Sequence, residues 1–161
     1  AYQVTAPYPA PHRRALLGDF DGVLHPTLAR GNAASGEALV STKHFGWVPA
    51  LVDALRGHDD VAVVVHSTWR FEYDLEELRG LLGALAPRVI ASTPSDLSRY
   101  ESIVWWLEQN PSYTDYRILD DDPSEFPSPP PRELILCNPS SGIAAPDALA
   151  ALKDWLEKSH P

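Results

Sequence analysis

The stretch Leu16-Leu17-Gly18-Asp19-Phe20-Asp21-Gly22-Val23-Leu24 decides how the chain is read. The apolar run from Ala15 to Phe20 predicts a first strand. Two carboxylates two residues apart stand at its end, and Gly22 then permits a sharp turn. Open α/β sheets take their ligands beyond the carboxyl ends of the strands, so Asp19 and Asp21 lie where a ligand is expected. Carboxylates this close repel, and a proton or a cation has to lie between them.

Working outward, short β-rich runs alternate with helical patterns, which predicts a parallel sheet flanked by helices. Val61 to His66 is the most strongly β-branched run and reads as a fully buried strand. Arg88 to Ala91, Tyr116 to Leu119 and Leu134 to Cys137 are the other three strands. Helices are predicted over Val48 to Arg56, around Leu75, Leu78, Leu82 and Leu85, over Leu97 to Gln109, and over Asp147 to Lys158. Their tryptophans are expected as core or rim anchors. The fold class is α/β, a three-layer sandwich with a parallel five-stranded sheet and the Asp19 strand at its centre. Residues 1–14, with Pro7, Pro9 and Pro11 at alternate positions, read as an extended arm. Residues 15–158 form the single domain, and the five prolines between Pro123 and Pro131 predict a surface loop.

Composition bounds the function. The 161 residues are 44% hydrophobic and 22% charged, as in ordinary soluble domains. A net charge of −9 repels a nucleic-acid backbone but suits a site that gathers a divalent cation. Cys137 is the only cysteine, so neither an intrachain disulfide nor a cysteine zinc cluster can form. It is expected to be a small buried residue on a strand. The six histidines lack metal-ligand spacing, which disfavours zinc. With no apolar run near the roughly 20 residues of a membrane span and no basic segment ahead of a long apolar one, no membrane role is expected. The setting is expected to be cytoplasmic. The opening on Ala1, in a chain without methionine, is expected to reflect processing or trimming.

Asp19-Phe20-Asp21-Gly22-Val23-Leu24 after an apolar strand resembles the first motif of the haloacid dehalogenase (HAD) superfamily. That resemblance implies three further motifs in order, each near a strand end. A Ser or Thr after a buried strand is met by Ser67, with Thr68 as the alternative. A Lys or Arg at a helix start is met by Arg99. An acidic cluster after a strand is met by Asp120-Asp121-Asp122. Val65-His66-Ser67-Thr68-Trp69-Arg70, Ser92-Thr93-Pro94, Arg99-x-x-x-Ile103-x-x-Trp106-Leu107 and Ser141-Gly142-Ile143 further resemble the compact HAD domains associated with bacterial RNA-repair proteins. The likeness runs from about Ala15 to Leu156.

The resemblance implies a HAD-like, Rossmann-like sheet and a magnesium-dependent phosphatase with an aspartyl-phosphate intermediate. In it Asp19 is the nucleophile and Asp21 the acid and then base. Mg2+ is held by Asp19, the Asp21 backbone carbonyl, and Asp120 or Asp121. Ser67 and Arg99 stabilise the transferring oxygens. Gly22, Thr68, Arg70 and His25 are candidate substrate contacts. For Arg70 the alternative is an ion pair with Glu72 or Asp74; for Ser67, a helix cap; for His66, a strand-end histidine satisfied by backbone. The segment from about residue 24 to 45 is too short for a large cap and is expected to be a flap. The substrate is then a phosphorylated small molecule or a phosphate end on a larger one. A nucleic-acid end stays open but is disfavoured by net charge, and the oligomeric state is undetermined. Two rivals are a catalytically silent binding module and a phospho-acceptor signalling domain. The second is disfavoured because no lysine lies between Lys43 and Lys153.

Overall fold

A computed structural model describes residues 14–21, 23, 24 and 46–158. The expected flap, with His25, lies outside the described residues, as do Gly22 and the arm up to residue 13. The sheet strands are β1 (Arg14–Gly18), β2 (Val61–Val65), β3 (Val89–Ser92), β4 (Asp115–Asp120) and β5 (Leu134–Leu136). All neighbours pair in parallel, in the order β3-β2-β1-β4-β5, so the strand that leads into Asp19 is central. The helices are α1 (Val48–Leu55), α2 (Leu75–Leu82), α3 (Arg99–Gln109) and α4 (Pro146–Lys158).

Side-chain alternation along the strands builds three layers. Leu16, Val63 and Val65 point into one core with Leu51 and Leu55 of α1, Leu78 and Leu82 of α2, and Leu152 and Leu156 of α4. Ala15, Leu17, Ala62 and Val64 point the other way, onto Ile103 and Trp106 of α3. Both faces of β1 and β2 are therefore covered, which is why their sequences run continuously apolar. Trp106 and Trp155 are core residues, and Trp105 is partly exposed.

Most element ends differ from the sequence reading by one or two residues, and at three places the structure gives the reason. Arg14, assigned there to the arm, is the first residue of β1 and is buried. Its guanidinium donates to both Asp60 carboxylate oxygens, at 2.7 and 3.0 Å, and to the Leu156 carbonyl at 3.0 Å. The second helix stops at Leu82 because Gly83 turns the chain with φ of 55°, and Leu85 packs from the 3-10 turn Gly83–Arg88. Arg88 precedes β3 and donates to the carbonyls of Leu55, His58 and Val61.

The register positions the site. Gly18 pairs with Val65 on one side and Leu119 on the other. Asp19, His66 and Asp120 are each the next residue, so three loops leave the same edge at one level. Gly142 secures the first loop from behind. Its φ of 54° and the close approach of the Trp47 ring and the Val23 carbonyl leave no room for a Cβ.

Candidate active site

β1 ends in a turn held by its own backbone. The Asp19 N–H donates to the Leu119 carbonyl at 3.0 Å, and the N–H groups of Val23 and Leu24 both donate to the Phe20 carbonyl. The Phe20 N–H donates to Asp19 Oδ1 at 2.8 Å, which fixes the carboxylate at the sheet edge. Only 2% of Asp19 is exposed. Asp120 is the last residue of β4 and is fully buried. Its Oδ1 accepts from the Asp122 N–H at 2.9 Å.

Arg99 is the first residue of α3, whose start is fixed by a reciprocal Ser98–Glu101 cap. That start aims the guanidinium across the edge. Nη1 lies 2.9 and 3.0 Å from the two Asp120 oxygens and 3.7 Å from Asp19 Oδ2. Oxygens of Asp19, Asp120 and Asp121 all lie within 4.8 Å of one another, so four of the expected groups meet in one place. The Asp21 carboxylate lies outside that trio, and only its backbone carbonyl is expected to bind metal.

The loop after β2 supplies the other side. Ser67 is buried, and its Oγ accepts from the Trp69 N–H at 3.2 Å, capping the 3-10 turn Thr68–Phe71. A hydroxyl that accepts there still has its own proton to donate. The Thr68 side chain lies outside the described residues. Arg70 departs from the ion-pair reading given for it. Its guanidinium donates to the carbonyls of His66, Ser67 and Pro94 at 2.8, 3.0 and 3.2 Å, with Leu97 at 3.5 Å. It staples the loop after β2 to the loop that leads into Arg99, because both strands end at the same level with their carbonyls facing it. His66 is held by backbone at one nitrogen, with Nε2 3.1 Å from the Leu119 carbonyl, while Nδ1 lies 3.6 Å from Asp120 Oδ2. Trp69, which the sequence reading quotes in a motif but gives no role, donates from Nε1 to Asp21 Oδ2 at 3.2 Å. The available signal was its place two residues past Ser67, at a strand end and off every predicted helix.

Residues 15–148 match the family model of the HAD domain in Swiss Army Knife RNA repair proteins. This chain belongs to that family. The comparison with curated proteins returned no match, and neither did the comparison with solved structures. None of the helices among the described residues is long and apolar enough to cross a membrane.

The electrostatics of this HAD domain converge on Asp19. Burial, then the neighbouring Asp120 charge, raise its carboxyl well above the ordinary range, and Arg99 only partly opposes them. Burial also raises Asp120, again against Arg99. Arg99 loses basicity to burial, but Asp19 and Asp120 outweigh that and keep it charged. Burial and the Arg99 charge push His66 down to about 3, so its imidazole is neutral. Cys137 is pushed up to about 12 by burial and the Asp120 charge, which makes it an inert packing residue.

The three carboxylates are a hard-oxygen donor set that fits a divalent cation such as Mg2+, with the Arg99 guanidinium paired to Asp120 beside them. A measurable consequence follows for stability. Between the ordinary carboxylate range and the raised values of Asp19 and Asp120, the folded state holds more protons than the unfolded chain, so metal-free stability falls as pH rises through that window. Saturating Mg2+ is expected to flatten the slope, because bound carboxylates stay ionised. Denaturant midpoints in chelator and in Mg2+ from weakly acidic to neutral pH check this; parallel slopes would contradict it.

Proposed function

We propose that this HAD domain is a magnesium-dependent phosphatase that hydrolyses a phosphomonoester through an aspartyl-phosphate on Asp19. The observation that carries the reading is the edge cluster of buried Asp19 and Asp120 and half-buried Asp121, with Arg99 across it. Asp19, Asp120 and Asp121, with the Asp21 backbone carbonyl, would hold Mg2+, which would offset the repulsion between these carboxylates and a phosphate.

Asp19 attacks phosphorus, and the bond from phosphorus to the leaving oxygen breaks. Asp21 gives its proton to that oxygen. In the second step Asp21 takes a proton from water, the water oxygen attacks phosphorus, and the Asp19–phosphorus bond breaks to release inorganic phosphate. Ser67 donates a hydrogen bond from its hydroxyl to a phosphoryl oxygen, and Arg99 offsets the charge on the transferring group. The family description makes a phosphorylated RNA end the first large substrate to test, alongside phosphorylated small molecules. A net charge of −9 opposes a long nucleic acid but tolerates a short phosphorylated end.

A panel of aryl phosphates, phosphorylated metabolites and 5′- and 3′-phosphorylated oligoribonucleotides tests this reading. Turnover is expected with Mg2+ and lost in chelator; metal-independent turnover, or none across the panel, would overturn it.

A further inference from the structure

Resting on that reading of Asp21, we infer that Trp69 is the positioning residue for the acid, and that its indole N–H sets which leaving groups the domain can expel. Asp21 lies in the turn after β1, and Trp69, which meets it there, is held rigidly. It is fully buried, edge-on to the Phe20 ring at 5.7 Å between centroids and stacked on Tyr73 at 5.6 Å. Its backbone N–H is tied to Ser67 Oγ at 3.2 Å. The indole has a single polar group, and that group is spent on Asp21 Oδ2 at 3.2 Å.

The loop after β2 therefore does two jobs with adjacent residues. Ser67 faces the phosphate side, and Trp69 reaches back to the carboxylate on the leaving-group side. When Asp21 passes its proton to the leaving oxygen, negative charge develops on the carboxylate, and a donor already aimed at it strengthens as the charge grows. Fixing the carboxylate plane also keeps the proton within reach of the leaving oxygen. Both effects matter only where the leaving oxygen needs a proton. An alkyl phosphate, such as a sugar or nucleoside phosphate, needs one; an aryl phosphate with a strongly acidic phenol does not.

The test measures kcat/KM, which reports the first chemical step, across phosphate esters graded from activated aryl to alkyl. Trp69→Phe removes the donor. Replacing Trp69 with benzothienylalanine, which exchanges N–H for sulfur at nearly constant shape, covers the case where Trp69→Phe fails to fold. Either variant is expected to lose about tenfold on alkyl phosphates, the scale of one hydrogen bond to a charged group, while staying near wild type on activated aryl phosphates. Mn2+ affinity is expected to be unchanged. An equal loss across the series would reduce Trp69 to packing, and no loss would remove it altogether; either result overturns the inference. Asp21→Asn run alongside separates the two levels. A flat response there refutes Asp21 as the acid, whereas a steep response there with a flat one at Trp69 refutes the positioning role alone.

Discussion

Asp19→Asn is expected to lower kcat/KM by at least about ten-thousand-fold, the scale seen when an enzyme loses its covalent nucleophile. The amide has nearly the volume of the carboxylate but no charge to attack phosphorus. Folding is expected to survive, because Asp19 does not stabilise the metal-free domain as an ion. Its carboxyl is raised by burial and by Asp120, so removing the charge relieves a repulsion. Arg99 keeps its contacts to Asp120 at 2.9 and 3.0 Å. The melting temperature in chelator should therefore hold or rise while activity disappears. Kinetics on an aryl phosphate and a thermal melt on the same preparation check both halves. Activity within tenfold of wild type would remove Asp19 as the nucleophile, and a large fall in melting temperature would contradict the charge argument.

Asp21→Asn is expected to act on the two chemical steps unequally. With an alkyl phosphate the first step lacks its proton donor, and a loss of roughly a thousandfold is expected from general acid catalysis. With an activated aryl phosphate the first step proceeds, but water attack on the acyl phosphate has lost its base. The phosphoenzyme should then accumulate, visible as a burst of phenol followed by a slow steady state. Rapid mixing with an activated aryl phosphate reads the burst. Unchanged steady-state rates on both substrate types would exclude Asp21 from proton transfer.

Much of this arrangement was legible from residues. The β-branched and apolar runs were long enough to mark all five strands, and the resemblance to the HAD motifs picked out Ser67 and Asp120 at the strand ends that lie beside Asp19. Arg99 followed from the same resemblance, which asks for a basic residue at a helix start. Three arginines mark where that legibility stops. Arg14, assigned to the arm, Arg88, assigned to a strand, and Arg70 are each buried and donate to backbone carbonyls. A sequence shows which side chains can donate but not which carbonyls the tertiary fold leaves facing them. The same blindness hid Trp69, whose indole meets Asp21 across 48 residues of chain.

The most direct test of the central claim is chemical trapping of the acyl phosphate. Asp21→Asn protein would be mixed with Mg2+ and an activated aryl phosphate, acid-quenched during the slow phase and reduced with borohydride, which converts an aspartyl-phosphate to homoserine. The account predicts homoserine at position 19, absent without Mg2+ and absent when Asp19 is also replaced by Asn. Homoserine at another aspartate, or a phenol burst with no modified aspartate, would contradict it.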